Sequence, residues 1–189
     1  MHLEPTHISD LNVLRKPIRE DERGVFCRLY ADDEIKKVGR NTKAVHVNSS
    51  TSLKEGTIRG IHYQYPPFAE EKIVSCVHGS IWDVAVDLRP DSSTRFQWFG
   101  LELSPLNGLS LIVPRGFGHA FITLEPNATV IYAVSTCYSI EHESGARFDD
   151  PLININWPIK PSVLSPKDHS WLPLSGRINE LNDKFNGLD

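Results

Sequence analysis

Cysteine is scarce in this chain. Cys27, Cys76 and Cys137 are the only three, odd in number, far apart, and without a C-x-x-C pair. That count argues against a disulfide framework and points to free thiols in a reducing compartment. Long apolar runs are absent too: nothing approaches membrane-spanning length, and the opening MHLEPTHISDLNVLRK has no signal-peptide core. No membrane contact and a cytoplasmic setting are therefore expected. Charge of one sign is not concentrated either. Lys and Arg number 20 against 24 Asp and Glu, a formal net charge of -4 with no long basic run, which argues against a nucleic-acid partner. Internal repeats, low-complexity segments and alternating strand–helix units are also missing, so a solenoid and a parallel α/β sheet are disfavoured.

What is present is a series of short β-patterned runs. The 189 residues are 40% hydrophobic, enough for one domain with a normal core. Runs such as Val25–Tyr30, Ala44–Asn48, Phe96–Leu103, Leu109–Val113, His119–Leu124 and Thr129–Tyr138 are separated by turn signals, among them Arg89-Pro90-Asp91 and Glu125-Pro126-Asn127-Ala128. Many short strands at regular spacing predict an antiparallel sandwich or barrel. Asp32 to Val38 carries acids first and lysines later with Gly39 after, the pattern of a short helix, and Gly176 to Asn186 is weakly helical. The expected organisation is a single domain: an N-terminal arm over 1–43, a core over 44–150, and a C-terminal tail over 151–189 packed on that core.

The chemistry concentrates between Arg59 and Asp87. Arg59 and His62 are followed by a Pro-Pro loop, then Lys72, then a β-branched run broken by His78-Gly79 and resumed at Ile81. The glycine-bearing break predicts a hairpin, with an arginine, an imidazole and an ammonium at the strand edges. Ordinary polar residues at a sheet rim are the plain alternative.

Glycine, histidine and proline spacing narrows the barrel. Pro114, Gly116 and His119 resemble the second motif of the cupins, Pro-x-Gly-x-x-His. The first cupin motif is altered: His62 is present, but Gln64 stands where a second histidine would be, and Lys72, counted back from Gly79, stands at the glutamate ligand. Divalent metals need imidazoles and carboxylates, whereas an ammonium repels them. The resemblance thus implies an all-β double-stranded β-helix (cupin jelly roll) with short peripheral helices. Its metal is replaced by a positive side chain suited to an oxyanion, beside a histidine base.

Longer stretches resemble the dTDP-4-dehydrorhamnose 3,5-epimerase family. They are Asp21-Glu22-Arg23-Gly24, Ile58 to Gln64, Lys72-Ile73-Val74, Gly79 to Arg89, Pro114 to Phe121, Tyr132, Tyr138 to Glu143, Asp149-Asp150-Pro151, Ile155 to Pro158 and Leu164 to Asp168, in order over residues 21–168. The resemblance implies a nucleotide-diphosphate 4-keto-6-deoxy sugar as substrate. Its C3 and C5 hydrogens are acidic because the C4 ketone takes up charge as an enolate. The implied roles are His62 as base, Tyr132 as acid, Lys72 as holder of the oxyanion and Asp168 as the carboxylate that orients His62. Asp83 or His119 would extend that network. A phenol pKa of about 10 suits a proton donor to a carbanion. Arg23 and Arg59, beside glycines, are expected to hold the diphosphate. Phe26, Arg28, His46, Asn48, His119, Tyr138 and Glu143 complete the implied substrate-binding set. No cofactor and no metal are called for, and a homodimer is implied in which the arm bearing Arg23 reaches the neighbouring site.

Arg28 stands where the family usually has a glutamate, and His46-Val47 replaces a common Gln-Asp pair. A CDP-linked sugar, or inversion at C3 or C5 alone, is thus a second reading. A non-catalytic sugar-nucleotide-binding jelly roll and a metal-dependent cupin such as a dioxygenase are readings of other classes. Gln64 and Lys72 speak against the last.

Overall fold

The apolar runs pair side by side as strands and close into two sheets. The computed structural model describes residues 1–40 and 43–188. Its strands, in chain order, are β1 His2–Pro5, β2 Asn12–Arg15, β3 Ile18–Asp21, β4 Gly24–Cys27, β5 His46–Ser52, β6 Ile58–Gln64, β7 Lys72–His78, β8 Ile81–Asp87, β9 Trp98–Leu103, β10 Leu109–Val113, β11 Phe117–Thr123, β12 Ala128–Val134 and β13 Glu143–Gly145. Short helices lie at α1 Asp32–Lys37, α2 Pro166–Ser170 and α3 Ile178–Lys184.

One sheet runs β1-β2-β10-β7-β12-β5 and the other β13-β6-β11-β8-β9, while β3 and β4 form a separate two-stranded ribbon. Every pairing between these strands is antiparallel. The facing layers interdigitate through Val74, Leu111 and Val130 from the first sheet and Ile81, Ala85 and Phe121 from the second, all buried. This is the double-stranded β-helix of the cupin jelly roll.

Each sheet's outer face is covered as well. Ile35 of α1 is fully buried against Leu14, Ile73 and Ile112. On the other side Leu174, Leu181 and Phe185 from the C-terminal tail pack on Ile61, Tyr63, Val84 and Ala120. Burying both faces explains why β11 is apolar or small nearly throughout and shows no clean alternation.

Two expectations are corrected here. The break at His78-Gly79 is not a hairpin: β7 pairs with β10 and β12, β8 with β11 and β9. Gly79, at φ +66°, carries the chain from one sheet to the other, so the two flanking strands become opposite walls. Residues 2–5 and 12–15, expected in the arm, extend the six-stranded sheet through β2 on β10. The part of that region standing apart is the β3–β4 ribbon, with Val25 50% and Phe26 58% exposed.

Candidate active site

Strict alternation would send Arg59 and His62, three residues apart, to opposite faces of β6. A bulge prevents that. His119 pairs with His62 and Phe121 with Arg59, so two residues of β6, Gly60 and Ile61, oppose the single Ala120. Both side chains thereby face the interior alongside Phe121. Glycine is required at the bulge. Gly60 sits at φ +114°, and a Cβ there would lie 2.5 Å from the His119 carbonyl oxygen.

His62 is held from behind. Its Nε2 lies 2.5 Å from Oδ1 of Asp168, which α2 delivers, with the Ser165 hydroxyl accepting the Asp168 N–H at 3.0 Å. Asp168 is 3% exposed. Burial alone would raise its pKa, but the hydrogen bond and charge of His62, with Ser165 and the Gly60 amide, hold the carboxyl below its ordinary value. With Nε2–H donating to the carboxylate, Nδ1 is the basic nitrogen. A second imidazole–carboxylate pair lies alongside: His119 Nε2 is 2.8 Å from Oδ1 of the fully buried Asp83.

The opposite wall supplies the other two groups. Val134 pairs with Lys72 and Tyr132 with Val74 across β12 and β7, so the ammonium and the phenol come from adjacent strands of one sheet. Lys72 therefore stands with Tyr132 and across from His62, which corrects the expected grouping of Lys72 with His62. Burial pushes the Tyr132 phenol above its ordinary value, and the negative charge of Glu70 adds to the rise while Arg59 opposes it.

The walls enclose a cavity of about 380 Å³ lined by Arg59, His62, Lys72, His119, Tyr132 and Asp168, with Phe121 and Lys167 at its edge. A second space of about 300 Å³ shares His62, Lys72 and Tyr132 and continues to His46, Asn48, Glu70, Tyr138 and Glu143. A larger hollow of about 790 Å³ around Arg89, Arg95 and Asn182 is lined by neither an imidazole nor a phenol, and the residues expected to act as base and acid line the smaller pair of cavities.

Most residues expected in the site thus meet. Arg59 is braced by Ser52 Oγ at 3.0 Å. Tyr138 donates to Glu143 at 2.7 Å. His46 and Asn48 reach the cavity from β5, opposite Val134 and Tyr132. Three expected residues do not meet it within this chain. Arg23 pairs with Asp21 at 2.5 Å on the exposed ribbon, Phe26 projects from the same ribbon, and Arg28 pairs with Glu34 at 2.8 Å.

Two residues not singled out from the sequence belong to the lining. Lys167 bonds to Glu143, and its signal was adjacency to Asp168. Glu70 lies 3.0 Å from the Lys72 ammonium, and its signal was a carboxylate two residues ahead of the lysine. Gln64, read as a lost metal ligand, has a structural task. Its side chain accepts from the Ser139 amide at 2.6 Å and donates to the carbonyls of Phe68 at 3.0 Å and Cys137 at 3.2 Å, pinning the segment that carries Tyr138.

Comparison with known proteins identifies the family. The profile of the family described as dTDP-4-dehydrorhamnose 3,5-epimerase matches residues 5–176. A dTDP-4-dehydrorhamnose 3,5-epimerase from Sinorhizobium fredii is 40% identical over 171 residues, 90% of this chain and 88% of that one. The crystal structure of the Bacillus anthracis dTDP-4-dehydrorhamnose 3,5-epimerase with TDP and PPi bound superposes at TM-score 0.87 and 39% identity, covering 91% of this chain and 98% of that one. The Legionella pneumophila dTDP-6-deoxy-D-glucose-3,5-epimerase in complex with dTDP-4-keto-L-rhamnose superposes at TM-score 0.89 and 34% identity, covering 95% and 96%. With relatives this similar along nearly their whole length, the chain belongs to the dTDP-4-dehydrorhamnose 3,5-epimerase family.

Proposed function

We propose that this chain inverts C3 and C5 of a dTDP-linked 4-keto-6-deoxy-glucose, giving the 4-keto-rhamnose, by removing and returning protons through an enolate. The observation that carries the reading is the disposition of base and acid. His62, backed by Asp168 from α2, stands on one sheet, and Tyr132 with Lys72 stands on the other, across one cavity. Inversion needs that opposition, because a single group acting as base and acid returns the proton to the face it left. In this reading Nδ1 of His62 takes the hydrogen α to the ketone, Lys72 meets the enolate oxygen, and the protonated Tyr132 donates to the other face. Arg59, with Lys167 nearby, provides cations for the diphosphate. The chain's own side chains then supply every proton and charge the reaction calls for, without a cofactor.

We further propose a homodimer in the cytoplasm. Arg23 and Phe26 sit on an exposed ribbon outside the chain's own cavity, and insertion of that ribbon into a second copy would bring a guanidinium and an aromatic ring to its substrate. The three free cysteines are in keeping with a reducing compartment.

The test is solvent exchange. In deuterium oxide, dTDP-4-keto-6-deoxy-glucose should take up deuterium at C3 and C5 and form inverted sugar, read by NMR. A CDP-linked sugar run in parallel decides the nucleotide, and label at one carbon alone would replace the double inversion with a single one. No exchange with either substrate would leave only a binding function.

A further inference from the structure

Two acids precede Lys72, and they part company. Glu71 turns to Arg40, 3.2 Å away. Glu70 turns into the cavity, where its Oε1 lies 3.0 Å from the Lys72 ammonium, the two side chains being 13% and 12% exposed. It lines the same space as Tyr132, His62 and Glu143. A carboxylate beside an oxyanion-binding cation is unexpected at first sight, since it competes for the charge that the enolate needs.

We propose that Glu70 is a positioning residue of this site, fixing the Lys72 ammonium over the cavity and setting the charge beside Tyr132. This rests on the epimerase reading above and adds a residue to it. An ammonium carries three donors on a flexible four-carbon stem. Spending one on Glu70 holds the stem in a single arrangement and leaves two donors for the substrate oxygen, so the carboxylate need not leave. The same negative charge disfavours the phenolate of Tyr132, which keeps that group a donor and prevents it from acting as a second base. The other charged and titratable groups around Tyr132 are Lys72 on β7, Arg59 and His62 on β6, His119 on β11 and His46 on β5. Glu143 faces it from β13 with Tyr138 just before, and Lys167 and Asp168 from α2. Glu70 and Glu143 are the carboxylates lining the space that continues past Tyr132, and Glu143, on the opposite sheet, is already engaged by Lys167 and Tyr138.

Glu70→Gln keeps the size and an oxygen for Lys72 while removing the charge, and Glu70→Asp restores a carboxylate. The ionisation of Tyr132 is read as the near-ultraviolet phenolate absorbance that vanishes when Tyr132→Phe is added to each background. In Glu70→Gln it should move down, and in Glu70→Asp it should return toward the wild type. Turnover to inverted sugar should fall about tenfold in Glu70→Gln, well short of losing the acid itself, with the affinity for dTDP unchanged. The proposal is overturned if Tyr132 titrates at the same pH in all three proteins and the ratio of inverted to merely exchanged sugar does not move. The optical measurement needs no substrate. A chain that turned over no keto sugar would overturn the epimerase reading, and the titration would still decide the role of Glu70.

Discussion

Asp168 shows what burial does to a single side chain in this protein. Held below its ordinary value of 3.8 against the effect of burial, it contributes stability that is fully present above that pH and is lost as acid protonates it through its lower folded value. Asp168→Asn should therefore narrow the stability gap to the wild type in strong acid and show the full gap at neutral pH, measured by urea unfolding across that range. In the same variant the orienting charge behind His62 is gone, and turnover should fall about 100-fold or more. Tyr132→Phe tests the other wall. Ring packing against Val130 and Val74 is kept and only the phenolic proton is removed, so deuterium should still enter C3 or C5 while little inverted sugar forms. Exchange and inversion at wild-type rates would make Tyr132 a packing residue and pass the acid's role to Tyr138. The places of His62, Lys72 and His119 at one cavity were legible in the sequence through the glycine and proline punctuation of a jelly roll, whereas Tyr132 and Asp168 were reached only through the family resemblance. The partner of Lys72 was not, since an Ala-Glu-Glu-Lys run does not say which acid turns inward.

Strands β6, β7 and β8 mark where local pattern stops being informative. Gly79 reads as a hairpin turn because a hairpin and a sheet-to-sheet crossing both need a residue at positive φ. Which strand then becomes the hydrogen-bonded neighbour is decided by contacts far along the chain, with β10, β11 and β12. Alternation likewise places Arg59 and His62 on opposite faces, and only the bulge at Gly60 brings them together, for which a glycine inside a strand was the sole sequence hint. Gly60→Ala should thus act twice. The added Cβ at 2.5 Å from a backbone oxygen should destabilise the fold by about 2 kcal/mol or more, seen in the denaturation midpoint. In the fraction that folds, rotation of β6 should raise KM through Arg59 and lower kcat through His62 together. A change in stability with both kinetic constants intact would show that the bulge does not set the site.

At the scale of the whole molecule the two sheets act as the jaws of the site, and the C-terminal tail locks one of them by burying Leu174, Leu181 and Phe185 on its outer face. That tail also carries α2, so the segment that stabilises the sheet positions Asp168. The β3–β4 ribbon is the part of the fold without such a role within one chain, and subunit mixing tests where it acts. His62→Ala and Arg23→Ala proteins, each impaired alone, are unfolded together and refolded as a mixture. If the ribbon serves the neighbouring site, half of the dimers are mixed and each has one intact site, so roughly a quarter of wild-type activity should return. No gain over the average of the parents would place Arg23 in its own chain's function or in none. The exposure of the ribbon was invisible to sequence periodicity, since Val25 and Phe26 are apolar and yet find no buried face in the single chain.

The three hydrogen bonds made by Gln64 carry a consequence for redesign of the pocket. A jelly roll of this kind stands one imidazole and one carboxylate away from a metal site, so conversion by two substitutions looks short. Gln64→His, however, replaces an amide that serves one donor and two acceptors with a neutral ring that has one donor and one acceptor, and the rim bearing Tyr138 loses an anchor before any metal is held. Lys72→Glu sets a second carboxylate against Glu70 and takes away its cation. Each substitution alone therefore removes a contact that the present site uses, an anchor of the rim in one case and the partner of Glu70 in the other. The amide works as a lock: conversion of this pocket into a metal site has to replace the support of the rim as well as the ligands.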